Sequence, residues 1–173
     1  ELVVPILRND AVVAVMGVGN KPADYTEDDV RLVQELLVYI VDTVERKRVE
    51  VAIKESEVRY HNLFNSLLEG FCIIEVLFDA EGLPVDYRFL EVNPAFAALT
   101  GLHDAKGKRI RELVPDNEAH WYETYGKVAL TGESVRFVNE VKALNRWYDV
   151  SAYKVGGQDS RKVAILFNDI TKR

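Results

Sequence analysis

The sequence predicts an α+β fold, a five-stranded antiparallel sheet with helices on one face, preceded by a β-hairpin and a long helix. Three observations lead to this prediction. β-Branched residues fill two segments before residue 20, and a heptad-like apolar pattern runs from residue 33 to 58. The remaining chain shows two strands, three helices and three strands. Because short turns link sequential strands, the strands should pair antiparallel with the helices on one side.

The first two strands are predicted at residues 2–7 and 11–18, joined through Asn9-Asp10. That dipeptide is a turn signal between two β-branched runs. Two strands alone do not form a stable core. The hairpin is therefore expected to need further strands or another chain to cover it.

A helix is predicted from about residue 27 to 56 and should continue through 57–68, with Gly70 ending it as a C′ residue. Its apolar residues are spaced by 4, 3, 4 and 7, a heptad-like repeat. These heptad positions are Val33, Leu37, Ile40, Val44 and Val51. One hypothesis is that the helix pairs with its twin in a parallel homodimer. The alternative is the closing helix of a preceding domain followed by a solvated linker, and the sequence leaves both open.

The next strands are predicted at residues 71–78 and 85–92, with Asp79-Ala80-Glu81-Gly82 as a type I turn between them. Asn93-Pro94 then starts a helix, with Asn at the N-cap and Pro at N1. Thr100-Gly101 ends that helix.

A short helix is predicted at residues 106–114 and a longer one through Leu130, capped by Asp116 or Asn117 and closed by Gly132. Three further strands should follow at about 134–141, 145–154 and 162–169. Gly156-Gly157 marks the loop between the last two of them.

Composition excludes several classes of function. The net charge of −6 argues against nucleic acid and anionic membranes as partners. No apolar run reaches the ~20 residues that span a membrane. There is no signal peptide and no initial Met, so we expect a cytoplasmic fragment of a longer protein.

The three histidines and the single cysteine, Cys72, lack metal-ligand spacing, and no acid, base or nucleophile constellation is present. Neither a metal site nor catalysis is therefore expected.

A binding cavity remains the main candidate site. Trp121, Tyr125 and Val128 fall at i, i+4 and i+7 on the longer helix, which puts them on one inward face. Alternation along the strands predicts further inward residues. The full candidate set is Phe96, Leu99, Trp121, Tyr125, Val128, Phe137, Tyr148, Val150 and Leu166. These side chains either bind a small molecule or simply pack on each other, and the sequence does not decide between the two.

The end of the chain carries a family resemblance. After an apolar run at residues 163–167, the chain ends on Asp169-Ile170-Thr171-Lys172-Arg173, which resembles the Asp-Ile-Thr motif that closes PAS domains. Further matching segments are Glu69-Gly70-Phe71, residues 86–96, Leu99-Thr100-Gly101 and Gly107-Lys108. The resemblance covers roughly residues 57–173 and implies a sensor module of bacterial signalling proteins.

The resemblance also implies how a signal would leave the domain. Asp169 and Thr171 are predicted to cap an exit helix that starts at Lys172-Arg173, and Asn93 caps the first helix of the domain. An output domain would follow in the same chain. The expected full-length protein is a sensor histidine kinase or a diguanylate cyclase of the Gly-Gly-Asp-Glu-Phe type. The alternative is a ligand-free dimerisation or spacer module.

Residues 1–45 resemble the tail of a GAF domain, with two strands, a loop and a closing helix. The matching segments are Val4-Pro5-Ile6, residues 12–21 and residues 25–29. Tyr25 stands where this family usually has Phe, and Val30 where it usually has Glu, which argues against cyclic-nucleotide binding. The chain is thus expected to comprise a GAF remnant at 1–45, a signalling helix at 27–56 and a PAS domain at 57–173.

Two cofactors bound by members of the PAS family, flavin and haem, are not favoured here. A flavin adduct needs a cysteine after the first helix, and residues 100–113 contain none, since Cys72 lies in the first strand. His120 lies on the predicted helix that ends at Leu130, where haem-binding members carry a ligand. Trp121 next to it competes for the inward direction. An unknown small molecule is the remaining candidate ligand.

Overall fold

The computed structural model describes residues 1–171 and divides into unit 1, Glu1–Tyr60, and unit 2, which begins at His61. The predicted fold class is confirmed. The strands are β1 Leu2–Arg8, β2 Ala11–Val18, β3 Gly70–Phe78, β4 Pro84–Val92, β5 Val135–Val141, β6 Arg146–Val155 and β7 Lys162–Asp169. The helices are α1 Glu27–Ser66, α2 Pro94–Thr100, α3 Ile110–Leu113 and α4 Ala119–Thr131, and a single 3₁₀ turn spans Lys142–Leu144.

Unit 1 consists of the β1–β2 hairpin and the first part of α1. The turn residues Asn9 and Asp10 have positive φ angles of 52° and 61°, the left-handed conformation that two-residue hairpin turns require. Arg8, at the end of β1, donates to Glu45 Oε2 at 2.6 Å and also pairs with Asp42. These solvent-exposed ion pairs join the end of β1 to α1.

The start of α1 is fixed by a reciprocal cap. Thr26 donates its backbone N–H to Asp29 Oδ2 at 2.7 Å, and Asp29 donates its own N–H to Thr26 Oγ1 at 3.4 Å. Lys21 also pairs with Asp29. Hydrogen bonds from Lys21, and then from Thr26, lower the pKa of Asp29 to about 2.

Unit 2 is built on one antiparallel sheet in the order β4-β3-β7-β6-β5. Its helices α2, α3 and α4 cover one face, and the core lies between that face and the helices. In the centre of the sheet, Cys72 of β3 pairs with Ile165 of β7, and Ala152 of β6 pairs with the same residue from the other side. All three side chains are buried in that core.

The end of α1 differs from the prediction. The helix ends at Ser66, and Gly70 opens β3 instead of terminating the helix. A Cβ at position 70 would lie 2.3 Å from the ring of Phe167 on the neighbouring strand. Close approach of an aromatic ring therefore explains this glycine, and its predicted role as a C′ residue is wrong.

The helices of unit 2 begin and end largely as predicted, with two exceptions. Asn93 caps α2 by accepting the Phe96 N–H, and Gly132 closes α4 with a φ of 77°. The predicted cap of α4 at Asp116 or Asn117 is wrong, because Glu118 occupies the N-cap position and makes no side-chain cap hydrogen bond. The predicted helix at 106–114 is helical only over α3, since residues before it form a turn.

Candidate functional site

A cavity lies inside unit 2, between the helix-covered face of the sheet and the helices. The space open to water-sized spheres is about 70 Å³. Its walls come from the central strands, from α2, α3 and α4, and from the segments that join them. The lining residues are Cys72, Tyr87, Phe89, Phe96, Thr100, Leu102, Ile110, Val114, Asn117, Trp121, Tyr125, Val141, Leu144, Tyr148, Val150, Ile165 and Phe167.

The structure brings part of the predicted set together at this cavity. Phe96, Trp121, Tyr125, Tyr148 and Val150 all line it. The four predicted residues that do not line it are Leu99, Val128, Phe137 and Leu166.

Three of these four residues still belong to the helix side of the sheet. Val128 is completely buried in the core, and Leu99 packs against that core from α2. The Phe137 ring packs on Trp121, with 5.6 Å between the ring centroids. Phe137 thus supports a wall residue from behind.

Leu166 is on the opposite face of the sheet, so its predicted orientation is wrong. It pairs with Phe71 of β3, whereas its neighbours Ile165 and Phe167 are buried in the core and line the cavity. Successive side chains of a strand point to opposite faces. The inward residues of β7 are therefore one position away from the residue that was predicted.

Sequence reasoning missed the wall contributed by β3, β4 and the α2–α4 connection. Cys72, Tyr87 and Phe89 are buried inward residues of the β3–β4 hairpin, and alternation along those strands would have identified them. Ile110 and Val114 come from α3 and its C-cap. A helix of four residues has too little periodicity to mark an inward face.

Two residues of the cavity wall have buried N–H groups without acceptors. Trp121 is 3% exposed, and its indole Nε1 has no hydrogen-bond partner within residues 1–171. The Asn117 Nδ2 group is buried and also lacks a partner in the same part of the chain. Both residues line the cavity. Buried donors of this kind normally have a partner, so these two N–H groups call for an acceptor.

The ionisable side chains that line the cavity are tyrosines and one cysteine, and they are neutral. Burial raises the pKa of Tyr87 and of Tyr125 well above the ordinary value for tyrosine. Burial likewise raises the pKa of the Cys72 thiol. Among the described residues that line the cavity, none is a lysine, arginine, histidine, aspartate or glutamate. The wall therefore presents no charge near neutral pH.

A series of hydrogen bonds connects the cavity wall to Asp169, the last residue of β7. The Tyr148 hydroxyl donates to the Leu99 carbonyl oxygen at 2.8 Å, and Arg146 donates to the same carbonyl. Arg146 Nη1 also pairs with Asp169 Oδ2 at 3.0 Å. The C-terminal end of α2 is thus linked through β6 to the last residue of β7.

Asp169 and Thr171 continue this connection. Asp169 Oδ1 accepts the Thr171 N–H at 2.9 Å, and Thr171 Oγ1 accepts the Trp147 N–H at 2.9 Å. Burial by itself would raise the pKa of Asp169, but hydrogen bonds from Thr171 and the charge of Arg146 lower that pKa below its ordinary value. The predicted exit helix at Lys172-Arg173 lies outside the described residues.

Asn93 does more than cap α2. Its Oδ1 also accepts the Phe71 N–H at 2.9 Å, and its Nδ2 donates to the Glu69 carbonyl at 2.9 Å and to the Phe64 carbonyl at 3.4 Å. The residue is 2% exposed. This single side chain therefore joins the end of α1, the start of β3 and the start of α2.

His120 lies away from the cavity. Its Nε2 is 2.9 Å from Asn139 Nδ2 on β5, and its ring is next to Trp121. It is not one of the lining residues. In this orientation His120 does not present a ligand atom to the cavity.

The heptad positions of α1 fall into two groups. Val33 and Leu37 are buried within unit 1, where Val4 and Ile6 of β1 are the other buried apolar residues. Ile40, Val44 and Val51 are 39–45% exposed. The first two positions are thus already covered within the chain, and an exposed apolar row begins only at Ile40.

No helix within residues 1–171 is long and apolar enough to cross a membrane. The same residues contain no group of three or more histidine, cysteine, aspartate or glutamate side chains placed to hold a metal ion.

Comparisons with known proteins agree with this architecture. The family model described as PAS domain matches residues 58–140. Sporulation kinase E of Bacillus subtilis (strain 168) is 31% identical over 88 residues, a match that covers 50% of this chain and 11% of the kinase. The chain therefore spans only a small part of that relative.

Two solved structures show the same fold. The PAS domain of an HTR-like protein from Haloarcula marismortui aligns with a TM-score of 0.50 at 20% identity, covering 72% of this chain and 99% of that chain. A LOV protein of Rhodobacter sphaeroides aligns with a TM-score of 0.50 at 14% identity, covering 69% of each chain. Unit 2 thus has the PAS fold, whereas the GAF resemblance of residues 1–45 stays a prediction.

Proposed function

We propose that this chain is the cytoplasmic sensory module of a bacterial signal-transduction protein. It binds a small ligand in the cavity of unit 2 and relays the binding event to an output domain that follows in the same polypeptide. The observation that carries the proposal is the hydrogen-bond chain from Tyr148, in the cavity wall, to Asp169 and Thr171. The similarity to a sporulation kinase favours a sensor histidine kinase as the full-length protein, with a diguanylate cyclase as the other candidate.

The relay follows from the contacts of one carbonyl group. The Leu99 carbonyl accepts from both Tyr148 and Arg146, so a ligand that moves the Tyr148 ring changes how that carbonyl is shared. Arg146 then adjusts its ion pair with Asp169, and Asp169 holds Thr171. A ligand shifts such an equilibrium only by its difference in affinity for the two arrangements. The ligand must therefore bind one position of Tyr148 better than the other.

The test is the response of the Thr171 amide in ¹⁵N NMR spectra of the 173-residue chain. A library of small neutral, anionic and cationic fragments is first screened by native mass spectrometry and absorption spectroscopy. A bound fragment is expected to shift the amides of Asp169 and Thr171 in the wild-type chain. In Arg146→Met the fragment should still bind, but the Thr171 shift should be lost.

Arg136→Met is the matched control for this experiment. Arg136 also forms an arginine–aspartate pair, with its Nη2 2.8 Å from Asp149 Oδ2, but it is exposed and does not line the cavity. This control should retain the Thr171 response. The proposal fails if no fragment binds, or if Arg146→Met transmits the shift as well as the wild type does.

The second candidate function is a ligand-free dimerisation or spacer module. It is favoured by the exposed row Ile40, Val44 and Val51 on α1, which an identical helix would cover. Sedimentation equilibrium should show a homodimer that the double variant Val44→Glu/Val51→Glu converts to a monomer. The control Val49→Glu/Ile53→Glu adds the same charge at exposed positions outside the row and should remain dimeric.

The two measurements together separate the candidate functions. A dimer that binds no fragment supports the spacer function, whereas fragment binding with a Thr171 response supports the sensor. A wild-type chain that stays monomeric at high concentration would exclude pairing through the heptad positions, whichever of the two functions the chain has.

A further inference from the structure

We propose that the ligand of this cavity is a small neutral molecule that carries a hydrogen-bond acceptor, such as a carbonyl oxygen, and that Trp121 and Asn117 donate to it. This inference rests on the proposed sensor function and deepens it, because it names the chemical class of the ligand.

The first step of the argument is the pair of donors without acceptors. The Trp121 indole N–H and the Asn117 amide N–H₂ are buried, line one cavity and meet no acceptor within the described chain. Indole nitrogen can only donate a hydrogen bond. Leaving a buried donor unpaired destabilises a protein, because the donor has lost its hydrogen bonds to water and gained none in return. A ligand acceptor at this place would recover that loss, whereas a ligand with only donors would not.

The second step is that the side chains lining the cavity carry no charge. Within residues 1–171, the lining set includes no cationic side chain that could pair with a carboxylate or phosphate. Burying an ion without a partner is far more costly than burying a neutral polar group. The acceptor should therefore belong to a neutral group.

The third step is the shape and chemistry of the remaining wall. Phe96 forms edge-to-face contacts with Phe89 and with Phe167, with centroid distances of 5.1 Å and 5.8 Å. This aromatic wall suits an apolar body. The free space of about 70 Å³ exceeds the ~10–15 Å³ that a single water needs, but it suits only a molecule of a few heavy atoms.

Cyclopentanone and two relatives with the same ring provide the probes. Cyclopentane lacks the acceptor, and cyclopentanecarboxylate carries a charged one. The readout is the ¹H–¹⁵N indole signal of Trp121, which is distinguished from that of Trp147 by a Trp147→Phe variant. These two residues are the tryptophans of the chain. Cyclopentanone should move the Trp121 signal downfield and bind at least about fivefold more tightly than either relative.

An asparagine variant tests the second donor. Asn117→Leu keeps the size of the side chain but removes its N–H₂ group, and it should weaken cyclopentanone about fivefold while leaving cyclopentane unchanged. Asn139→Leu is the control, because Asn139 bonds to His120 and does not line the cavity. It should leave the affinity for cyclopentanone as in the wild-type chain.

The outcomes separate this inference from the proposed function. Equal binding of cyclopentane, tighter binding of the carboxylate, or no binding of cyclopentanone overturns the neutral-acceptor assignment. The sensor function survives each of these results if a library fragment still shifts the Thr171 amide. Conversely, cyclopentanone that moves the Trp121 signal without any response at Thr171 supports this assignment and counts against the relay.

Discussion

Units 1 and 2 contain similar proportions of apolar residues but bury them to different extents. In residues 1–60, all of which the structure describes, the buried apolar side chains are Val4, Ile6, Val33 and Leu37. Exposed apolar side chains continue along both strands and along α1. In unit 2 a single cluster fills the space between the sheet and its helices, and it contains the aromatic residues that form the cavity wall.

The difference shows that a segment can form regular secondary structure without forming a hydrophobic core. A two-stranded hairpin and one helix have regular hydrogen bonds but too little mutual surface to bury their apolar faces. Five strands and three helices enclose a core because every strand has a covered face. Unit 1 is therefore expected to respond weakly to substitutions that would damage unit 2.

The largest expected contrast is between two isoleucines. Ile74 is completely buried in the core of unit 2, whereas Ile53 on α1 is 55% exposed. Ile74→Ala should lower the free energy of unfolding of unit 2 by about 2–5 kcal/mol, and Ile53→Ala by less than about 0.5 kcal/mol. Urea unfolding followed by tryptophan fluorescence measures this, since Trp121 and Trp147 both belong to unit 2. Equal losses in the two variants would contradict the comparison.

The next contrast is between the two helix caps. Asn93→Ala removes a buried cap that also bonds the Phe71 N–H, so it should destabilise unit 2 by about 2–4 kcal/mol. Thr26→Ala removes an exposed cap of α1 and should leave the tryptophan transition unchanged. The same urea experiment decides the point. A loss below about 1 kcal/mol in Asn93→Ala would show that its hydrogen bonds are replaced by water.

Two strand glycines provide a smaller contrast. A Cβ on Gly70 would lie 2.3 Å from the Phe167 ring, whereas a Cβ on Gly17 of β2 meets nothing closer than 3.9 Å. Gly70→Ala should cost unit 2 about 1–3 kcal/mol through overpacking. Gly17→Ala should have no effect on the melting temperature followed by tryptophan fluorescence. A stable Gly70→Ala variant would mean that Phe167 can rotate into free space.

The smallest expected effect concerns acid. The pKa of Asp29 is lowered to about 2, and hydrogen bonds lower the pKa of Asp169 as well. Because each folded-state pKa lies below the unfolded value, the stabilisation is complete above about pH 4 and is lost as the pH falls through the folded-state pKa. NMR titration of the carboxyl carbons should follow both groups separately.

A matched pair of variants connects these titrations to the two units. Asp169→Asn should make the acid unfolding of unit 2 less dependent on pH, with Trp147 and Trp121 as reporters, while Asp29→Asn should leave that transition unchanged. If Asp169 instead titrates at or above the ordinary pKa of an aspartate, its bonds to Thr171 and Arg146 do not persist in solution.

The order of elements follows from local information in the sequence. The turn at Asn9-Asp10 and the cap at Asn93 are set by residues that favour one backbone conformation, and the structure has both. Strand boundaries in unit 2 agree with the predictions within about two residues. The inward stripe of Trp121 and Tyr125 is also local, because helical periodicity alone puts the two residues on one face.

Only the tertiary structure decided which side of each element is covered. Alternation predicts Leu166 inward, but the continuous apolar run at residues 163–167 does not show which of its residues face the core, and in the structure Leu166 pairs with Phe71 on the other face. Val33 and Leu37 share one heptad pattern with Ile40, but only the first two are buried in unit 1. The close contact of Gly70 with Phe167, and the burial of the unpaired donors of Trp121 and Asn117, involve residues that are far apart in the sequence. Such contacts are non-local, so no sequence pattern around one residue contains them.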